Sequence, residues 1–275
     1  MTDRSRRGAP GARDEQSGRQ GSLVLGVIPA RFDSTRLPGK VLLDIGGRSM
    51  LEHVWRRAML AGCLDRVLIA TDDERIATTA ASFGADVAMT SPMHACGTER
   101  VAEAASGVKS DIVVNIQGDE PLLDPAWIDQ LVPALRHDTD AAMATIACPL
   151  HDQEQAADPN VVKVVSDASS HALYFSRHPI PHDRHHTGVT RYRHVGLYAY
   201  RTAFLAEFTR LPPSPLEQAE GLEQLRALHH GHNIHVTTVT AGDNDGFGVD
   251  TLDDLQHVRR LFTDRPVTGT SDDQR

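Results

Sequence analysis

The sequence predicts an α/β protein with a mostly parallel mixed sheet flanked by helices. Three observations carry that prediction. Short apolar runs alternate with helix-period stretches from residue 23 to residue 147, the pattern of strands buried on both faces and joined by helical crossovers. Capping residues or glycines stand at several of the junctions. The densest polar motifs fall directly after apolar runs, where open sheets of this class bind ligands.

Taken in order, Leu23 to Ile28 reads as a buried strand and 49–61 as a helix, with Ser49 as its N-cap and Gly62 as its stop. Arg66 to Ala70 is the next strand, and a helix over 73–82 ends at Gly84. Strand 85–89, helix 98–105, strand 111–117, helix 125–136 and strand 140–147 continue the alternation. Crossovers between parallel strands should be right-handed. The second half is less regular. Strands are expected at 160–165, 171–176, 191–200 and 234–239, one helix at 216–229, and a last helix over 251–262 capped by Asp250 or Thr251. No repeat of fixed period is present. These elements form one α/β domain over 22–265, with a nucleotide-binding half (22–145) and a second half (146–265). Residues 1–21 and 266–275 read as polar tails that lack the apolar surface needed to offset ordering entropy.

Composition bounds the function. The chain has 275 residues, 40% hydrophobic and 24% charged, and a formal net charge of −9. An acidic balance speaks against a general nucleic-acid or anionic-membrane binder but allows a local basic pocket. No apolar run reaches the length of a membrane span. Cys63, Cys96 and Cys148 are too few and too scattered for a disulfide framework, which fits a reducing cytoplasm. Arg6-Arg7 lacks the apolar stretch that an export signal requires. Histidines cluster at 182–186 and 229–235 without a recognised zinc-ligand pattern, and read as surface or loop residues.

Three segments look chemical. The loop after the first strand, Pro29 to Lys40, carries Arg31, Arg36 and Lys40 among hydroxyls and a glycine. Arginine grips phosphate through paired hydrogen bonds and lysine adds a point charge. The alternative is a solvated basic loop, which is less apt in an otherwise acidic chain. The loop lacks the P-loop spacing, and the chain has no GxGxxG run. Asn115-Ile116-Gln117-Gly118-Asp119-Glu120-Pro121 places a carboxylate at a strand end. It suits a magnesium ion, and equally a plain Gly-Asp turn. Asp250, in Phe247-Gly248-Val249-Asp250-Thr251, is by itself best read as a helix cap. Two distant aspartates at element ends can share one metal, but spacing alone does not bring them together. Polar groups within the apolar stretches at 174–177, 193–198 and 222–226 suit a pocket for a polyhydroxylated acid, and equally ordinary amphipathic patterning.

Read together, PARFDSTRLPGK, ATDD, GTER, NIQGDEP, NVVKVV, ALYFSR, RHVGLYAYR, SPLE, LEQLR and GVDT resemble the 3-deoxy-manno-octulosonate (Kdo) cytidylyltransferases, over about residues 24–262. The first motif marks the wider class of sugar nucleotidyltransferases, and the later ones are more specific. The resemblance implies a nucleotide-diphospho-sugar transferase (Rossmann-like) fold in a cytosolic homodimer. It implies a Mg2+-dependent reaction of CTP with Kdo to give CMP-Kdo and diphosphate, for lipopolysaccharide synthesis. Carried over by position, Arg31, Arg36 and Lys40 hold the triphosphate, and Arg31 and Lys40 also stabilise the leaving diphosphate. Asp72, Gly97, Arg100 and Gln117 surround the cytidine. Asp119 and Asp250 bind the metal. Arg177, His194, Tyr198, Glu223 and Gln224 line the acid pocket. Cys96 stands where the family usually has serine. The alternatives are a relative with the same scaffold and chemistry acting on another acid, such as a sialic-acid-like sugar, an amino-Kdo or a phosphonic acid, against which the motifs at 172–177 and 191–201 speak, and a CTP binder without turnover, against which the two aspartates and the acceptor motifs speak.

Overall fold

The computed structural model describes residues 23–34, 36–240, 242 and 247–264. The tails expected at 1–21 and 266–275 lie outside them. In the first half the alternation is as expected, with one added hairpin formed by the second and third strands: β1 (Val24–Pro29), β2 (Asp44–Ile45), β3 (Arg48–Ser49), α1 (Met50–Ala58), β4 (Arg66–Thr71), α2 (Glu74–Ser82), β5 (Asp86–Met89), α3 (Gly97–Ser106), β6 (Ile112–Asn115), α4 (Pro125–His137) and β7 (Ala141–Leu150). The second half holds α5 (Gln153–Ala157), β8 (Lys163–Ser166), β9 (Ala172–Ser176), β10 (Arg191–Arg201), α6 (Thr202–Phe208), α7 (Pro215–Glu220), α8 (Gln224–His229), β11 (Asn233–Thr238) and α9 (Leu252–Asp264).

Both halves share one nine-stranded sheet in the order β11-β7-β10-β6-β1-β4-β5, with β8 added to β10 and β9 to β8. The β6-β1-β4-β5 run and the β7–β11 pair are parallel. β10 lies antiparallel between β6 and β7 and fuses the two halves. Side chains of β1 alternate between faces, as strand geometry demands. Val24 and Ile28 pack in the cluster with Leu51, Val54, Ile128 and Leu131 of α1 and α4. Leu25 and Val27 pack in the opposite one with Val101, Phe204 and Leu225 of α3, α6 and α8. Every one of these residues is at most 5% exposed, so the hydrophobic effect holds helices on both faces.

The caps explain most boundaries. Ser49 Oγ accepts from the Glu52 amide at 3.2 Å, as expected for the N-cap of α1. Thr251, not Asp250, caps α9: its Oγ1 accepts from the Asp254 amide at 3.2 Å. The single helix expected over 216–229 is two helices. Ser214 and Glu217 form a capping box that starts α7, and Gly221 ends it in a left-handed conformation, φ +63°, which glycine adopts without steric cost. The leucines at helical spacing concealed that break. Helices α5 and α6 and the β2–β3 hairpin were not expected. Helix α6 follows β10 directly, without a side-chain cap to announce it.

Candidate active site

The site gathers at the carboxyl ends of β1, β4 and β6, where a parallel sheet leaves its open edge. The cationic loop folds back on itself. The Gly39 amide donates to the Phe32 carbonyl at 2.8 Å, and a Cβ at Gly39 would lie 2.9 Å from the Phe32 ring. The chain leaving β6 crosses the end of β1 so closely that a Cβ at Gly118 would meet the Pro29 carbonyl at 2.9 Å. Glycine at 118 permits that crossing and sets Asp119 beside the loop.

There the distant aspartates meet. Lys40 Nζ donates to Asp119 Oδ2 at 2.5 Å, to Asp250 Oδ1 at 2.8 Å and to the Val249 carbonyl at 2.9 Å. The Val249 amide donates to the Asp119 carbonyl at 2.9 Å, which pins the two segments together. Arg36 pairs with the other oxygen of Asp250 at 2.8 Å. Burial alone would lower the pKa of Lys40, but its bonds to Asp119 and Asp250 outweigh that and raise it. The ammonium is therefore charged at any physiological pH. Arg31 stands exposed on the same loop.

The residues assigned to the cytidine lie on the neighbouring strand ends. Arg100, 5% exposed, donates to Thr90 Oγ1 at 2.5 Å and pairs with Asp72 at 3.2 Å. Asp72 and Arg100 are thus partners of each other. Gly97 opens α3 against the Pro29 ring, where an added Cβ would make ordinary contact at 3.5 Å. Gln117 Nε2 donates to the Gly196 carbonyl in β10 at 3.2 Å. Cys96 occupies the N-cap of α3 without a side-chain capping bond. Burial, with Glu223 nearby, pushes its thiol up to about 11, so it stays protonated. A hydroxyl is the better cap acceptor. Cys96→Ser should therefore raise the unfolding free energy by roughly 1 kcal/mol, read by chemical denaturation; an unchanged midpoint would show that α3 gains nothing from the cap.

The acid-pocket residues form a second group joined to the first through Thr98, whose Oγ1 donates to Glu223 Oε2 at 2.8 Å. His194 Nε2 lies 2.9 Å from Thr145 Oγ1, and that hydroxyl is placed to donate to the Leu197 carbonyl at 3.0 Å. The contact engages the Nε2 side of the ring and leaves Nδ1 to meet a ligand. Burial pushes His194 down to about 3, which keeps the imidazole neutral. Its ring centroid lies 5.4 Å from that of Tyr198, whose phenol burial raises well above the ordinary range. Gln224 is buried, and its Nε2 has no hydrogen-bond partner. A buried donor without a partner is costly, and a ligand oxygen would satisfy it. Arg177 spends three N–H groups on the carbonyls of Pro159, Glu220 and Gly221, which leaves two of the five on a guanidinium.

Several residues in this region were not singled out from the sequence. Glu120, 8% exposed, has its carboxyl pushed up to about 8 by burial and by the charge of Asp119, with Arg193 opposing. Thr145 and Lys163 sit on strands that read only as apolar. Their roles depend on strand register, which no local motif announces.

Asp119 and Asp250 offer one cation two carboxylates. Among the described residues no cluster of three or more His, Cys, Asp or Glu side chains is placed to hold a metal. Two hard oxygen donors beside a cationic loop suit magnesium, which commonly takes one or two carboxylates and completes its octahedron with phosphates and water. Groups of this kind position and neutralise a polyphosphate, and on this sheet they define a nucleotidyltransferase.

Comparison with known proteins narrows the class. A family model described as cytidylyltransferase matches residues 25–234. The 3-deoxy-manno-octulosonate cytidylyltransferase of Solibacter usitatus is 53% identical over 87% of this chain and 94% of its own. The protein of that name from Chromohalobacter salexigens is 52% identical over 88% of this chain and 98% of its own. A solved CMP:2-keto-3-deoxy-manno-octonic acid synthetase, complexed with CTP, superposes with a TM-score of 0.84 at 42% identity, over 88% of this chain and 99% of that one. The chain belongs to the cytidylyltransferase family, among the 3-deoxy-manno-octulosonate cytidylyltransferases.

Proposed function

We propose that this protein transfers CMP from CTP to the anomeric hydroxyl of 3-deoxy-manno-octulosonate and releases diphosphate, with magnesium as the cation. The observation that carries this reading is the meeting of Asp119 and Asp250 at Lys40, on the cationic loop that also carries Arg36. Asp119 and Asp250 would hold the metal. When bound, it neutralises charge on phosphoryl oxygens and acidifies a coordinated hydroxyl. Lys40, Arg31 and Arg36 would meet the β- and γ-phosphates and stabilise the departing diphosphate. Asp72, Gly97, Arg100 and Gln117 would frame the cytidine. The two remaining N–H groups of Arg177 suit the acceptor's carboxylate. His194 Nδ1, Glu223 and Gln224 Nε2 suit its hydroxyls, and Tyr198 closes the wall behind them. The chain contributes position and charge and forms no covalent intermediate.

We place this activity in the reducing cytoplasm, which suits the free thiols of Cys63, Cys96 and Cys148; among the described residues no helix is long and apolar enough to cross a membrane. We further propose a homodimer. Among the described residues the strand β9 is paired in the sheet with β8 alone and presents Leu173 at 62% exposure, an edge of the kind that pairs with another chain.

The test is an acceptor screen: enzyme, CTP and magnesium with Kdo, a sialic acid, an amino-Kdo and a small phosphonic acid, reading diphosphate. Release with Kdo at least tenfold above the others is expected. Preference for another acid would move the assignment to that acceptor. Tight CTP binding without release for any acid would make the protein a nucleotide binder.

A further inference from the structure

Lys163 is fully buried at 0% exposure, in the strand β8 that lies between β9 and β10. It pairs in register with Arg193 on one side and Ser176 on the other. Its ammonium meets no carboxylate. It donates to the carbonyls of Asp158 at 3.0 Å, Val161 at 2.6 Å and Arg177 at 2.5 Å. Three protons meet three acceptors, so the group is saturated. Burying a charge is costly unless such bonds compensate it, and an apolar side chain here would take this donor from the Val161 and Arg177 carbonyls and leave the Asp158 carbonyl its bond from the Val161 amide at 3.2 Å.

Those carbonyls come from two separate segments, and both lead to the acid pocket. Arg177, whose carbonyl Lys163 holds, sends its guanidinium to the carbonyls of Glu220 at 2.7 Å and Gly221 at 3.4 Å, in the turn between α7 and α8, and to that of Pro159 at 2.9 Å. The Glu220 carboxylate returns the contact: it accepts from Ser176 Oγ at 2.7 Å and from the Arg177 amide at 2.9 Å. Glu223 and Gln224 follow that turn immediately. On the other side of β8 the His194 amide donates to the Val162 carbonyl at 2.8 Å. The ammonium therefore joins the 158–161 loop to the end of β9 directly, and through Arg177 and Glu220 to the segment that carries Glu223 and Gln224, while β8 itself carries the main-chain bond to His194.

We propose that Lys163 is a positioning residue for the acceptor acid, setting the end of β9, the 158–161 loop and through Arg177 the α7–α8 turn, with no contact to CTP. This deepens the function proposed above and rests on it. The nucleotide side, Pro29 to Lys40 and Asp119, shares none of these bonds, so the effect should fall on one substrate.

The experiment compares Lys163→Met and Lys163→Arg with the wild-type enzyme. Steady-state kinetics should show the KM for Kdo at least tenfold higher in Lys163→Met, with the KM for CTP and the Kd of CTP without acceptor changed less than twofold. Lys163→Arg, which keeps donors, should recover part of the Kdo KM. Should Lys163→Met fail to fold, Glu220→Gln, which weakens the bonds of the half-buried Glu220 carboxylate to Ser176 and Arg177 in the same turn, must give the same split between substrates. Equal rises for both substrates, or an unchanged Kdo KM in a folded variant, would overturn the proposal. Amide hydrogen exchange keeps this test separate from the activity assignment. The variant should exchange faster at 158–162 and 220–224 and unchanged at 23–34, whatever the acceptor proves to be, and uniform exchange would also overturn it.

Discussion

Replacing Asp119 with asparagine is expected to lower diphosphate release from CTP and Kdo by roughly a thousandfold, the scale lost when charge stabilisation at a reacting phosphate is removed. The fold should survive. Asparagine keeps the shape of the side chain and an oxygen for Lys40 Nζ, and the main-chain bond between the Val249 amide and the Asp119 carbonyl does not involve the side chain. What is lost is one of the two negative charges that would hold the cation. Asp250→Asn should act similarly, though Arg36 also loses its carboxylate partner there. The double variant should be little worse than either single one, because groups that act as a unit do not add. The measurement is diphosphate release at saturating substrates, with circular dichroism and metal-free CTP binding as controls. Near-normal turnover by a folded Asp119→Asn would remove this residue from the chemistry.

The strands were legible in the sequence because they are buried on both faces, so that β1 and β6 read as nearly unbroken apolar runs. Caps were legible where a hydroxyl meets a helical pattern, as at Ser49. The meeting of Asp119 with Asp250 was not. Each aspartate could be placed at an element end, but Asp250 read more strongly as a helix cap. Only the structure transfers that duty to Thr251 and leaves the Asp250 carboxylate for Lys40 and Arg36. Gly118 read as turn chemistry, whereas its need arises from the carbonyl of Pro29 on another strand. Lys163, a lone charge between pairs of valines, carried no sign of its partners. Its partners are backbone carbonyls, which every residue possesses and which therefore leave no mark in the sequence.

Relative to Glu120→Gln, the wild-type protein should lose folding stability as pH rises between about 4.5 and about 8, a loss opposed below about 6.5 by His194, which is buried neutral and favours folding as pH rises. Glu120 lies beneath the site, 8% exposed. Burial, reinforced by the charge of Asp119 and opposed by Arg193, pushes its carboxyl from 4.5 to about 8. In the unfolded chain the group ionises near the lower value, while the folded protein keeps the proton until the upper one. Through that window the folded state binds more protons, so each pH unit weakens folding by about 1.4 kcal/mol. The contribution is whole below the unfolded pKa and gone above the folded one. Across the window this amounts to several kcal/mol, a large share of the stability of an ordinary domain. Glutamine has the same shape and cannot ionise, so the variant should match wild type near pH 5 and exceed it near pH 8. Chemical denaturation in chelator at pH 5, 6.5 and 8 measures the effect. Parallel pH profiles for the two proteins would show that Glu120 is ionised in the folded state. The test also bears on the neighbouring charge. Asp119→Asn removes one of the influences holding the Glu120 proton, so it should shift the upper end of the fall to lower pH and make the catalytically silent variant the more stable protein in mild alkali.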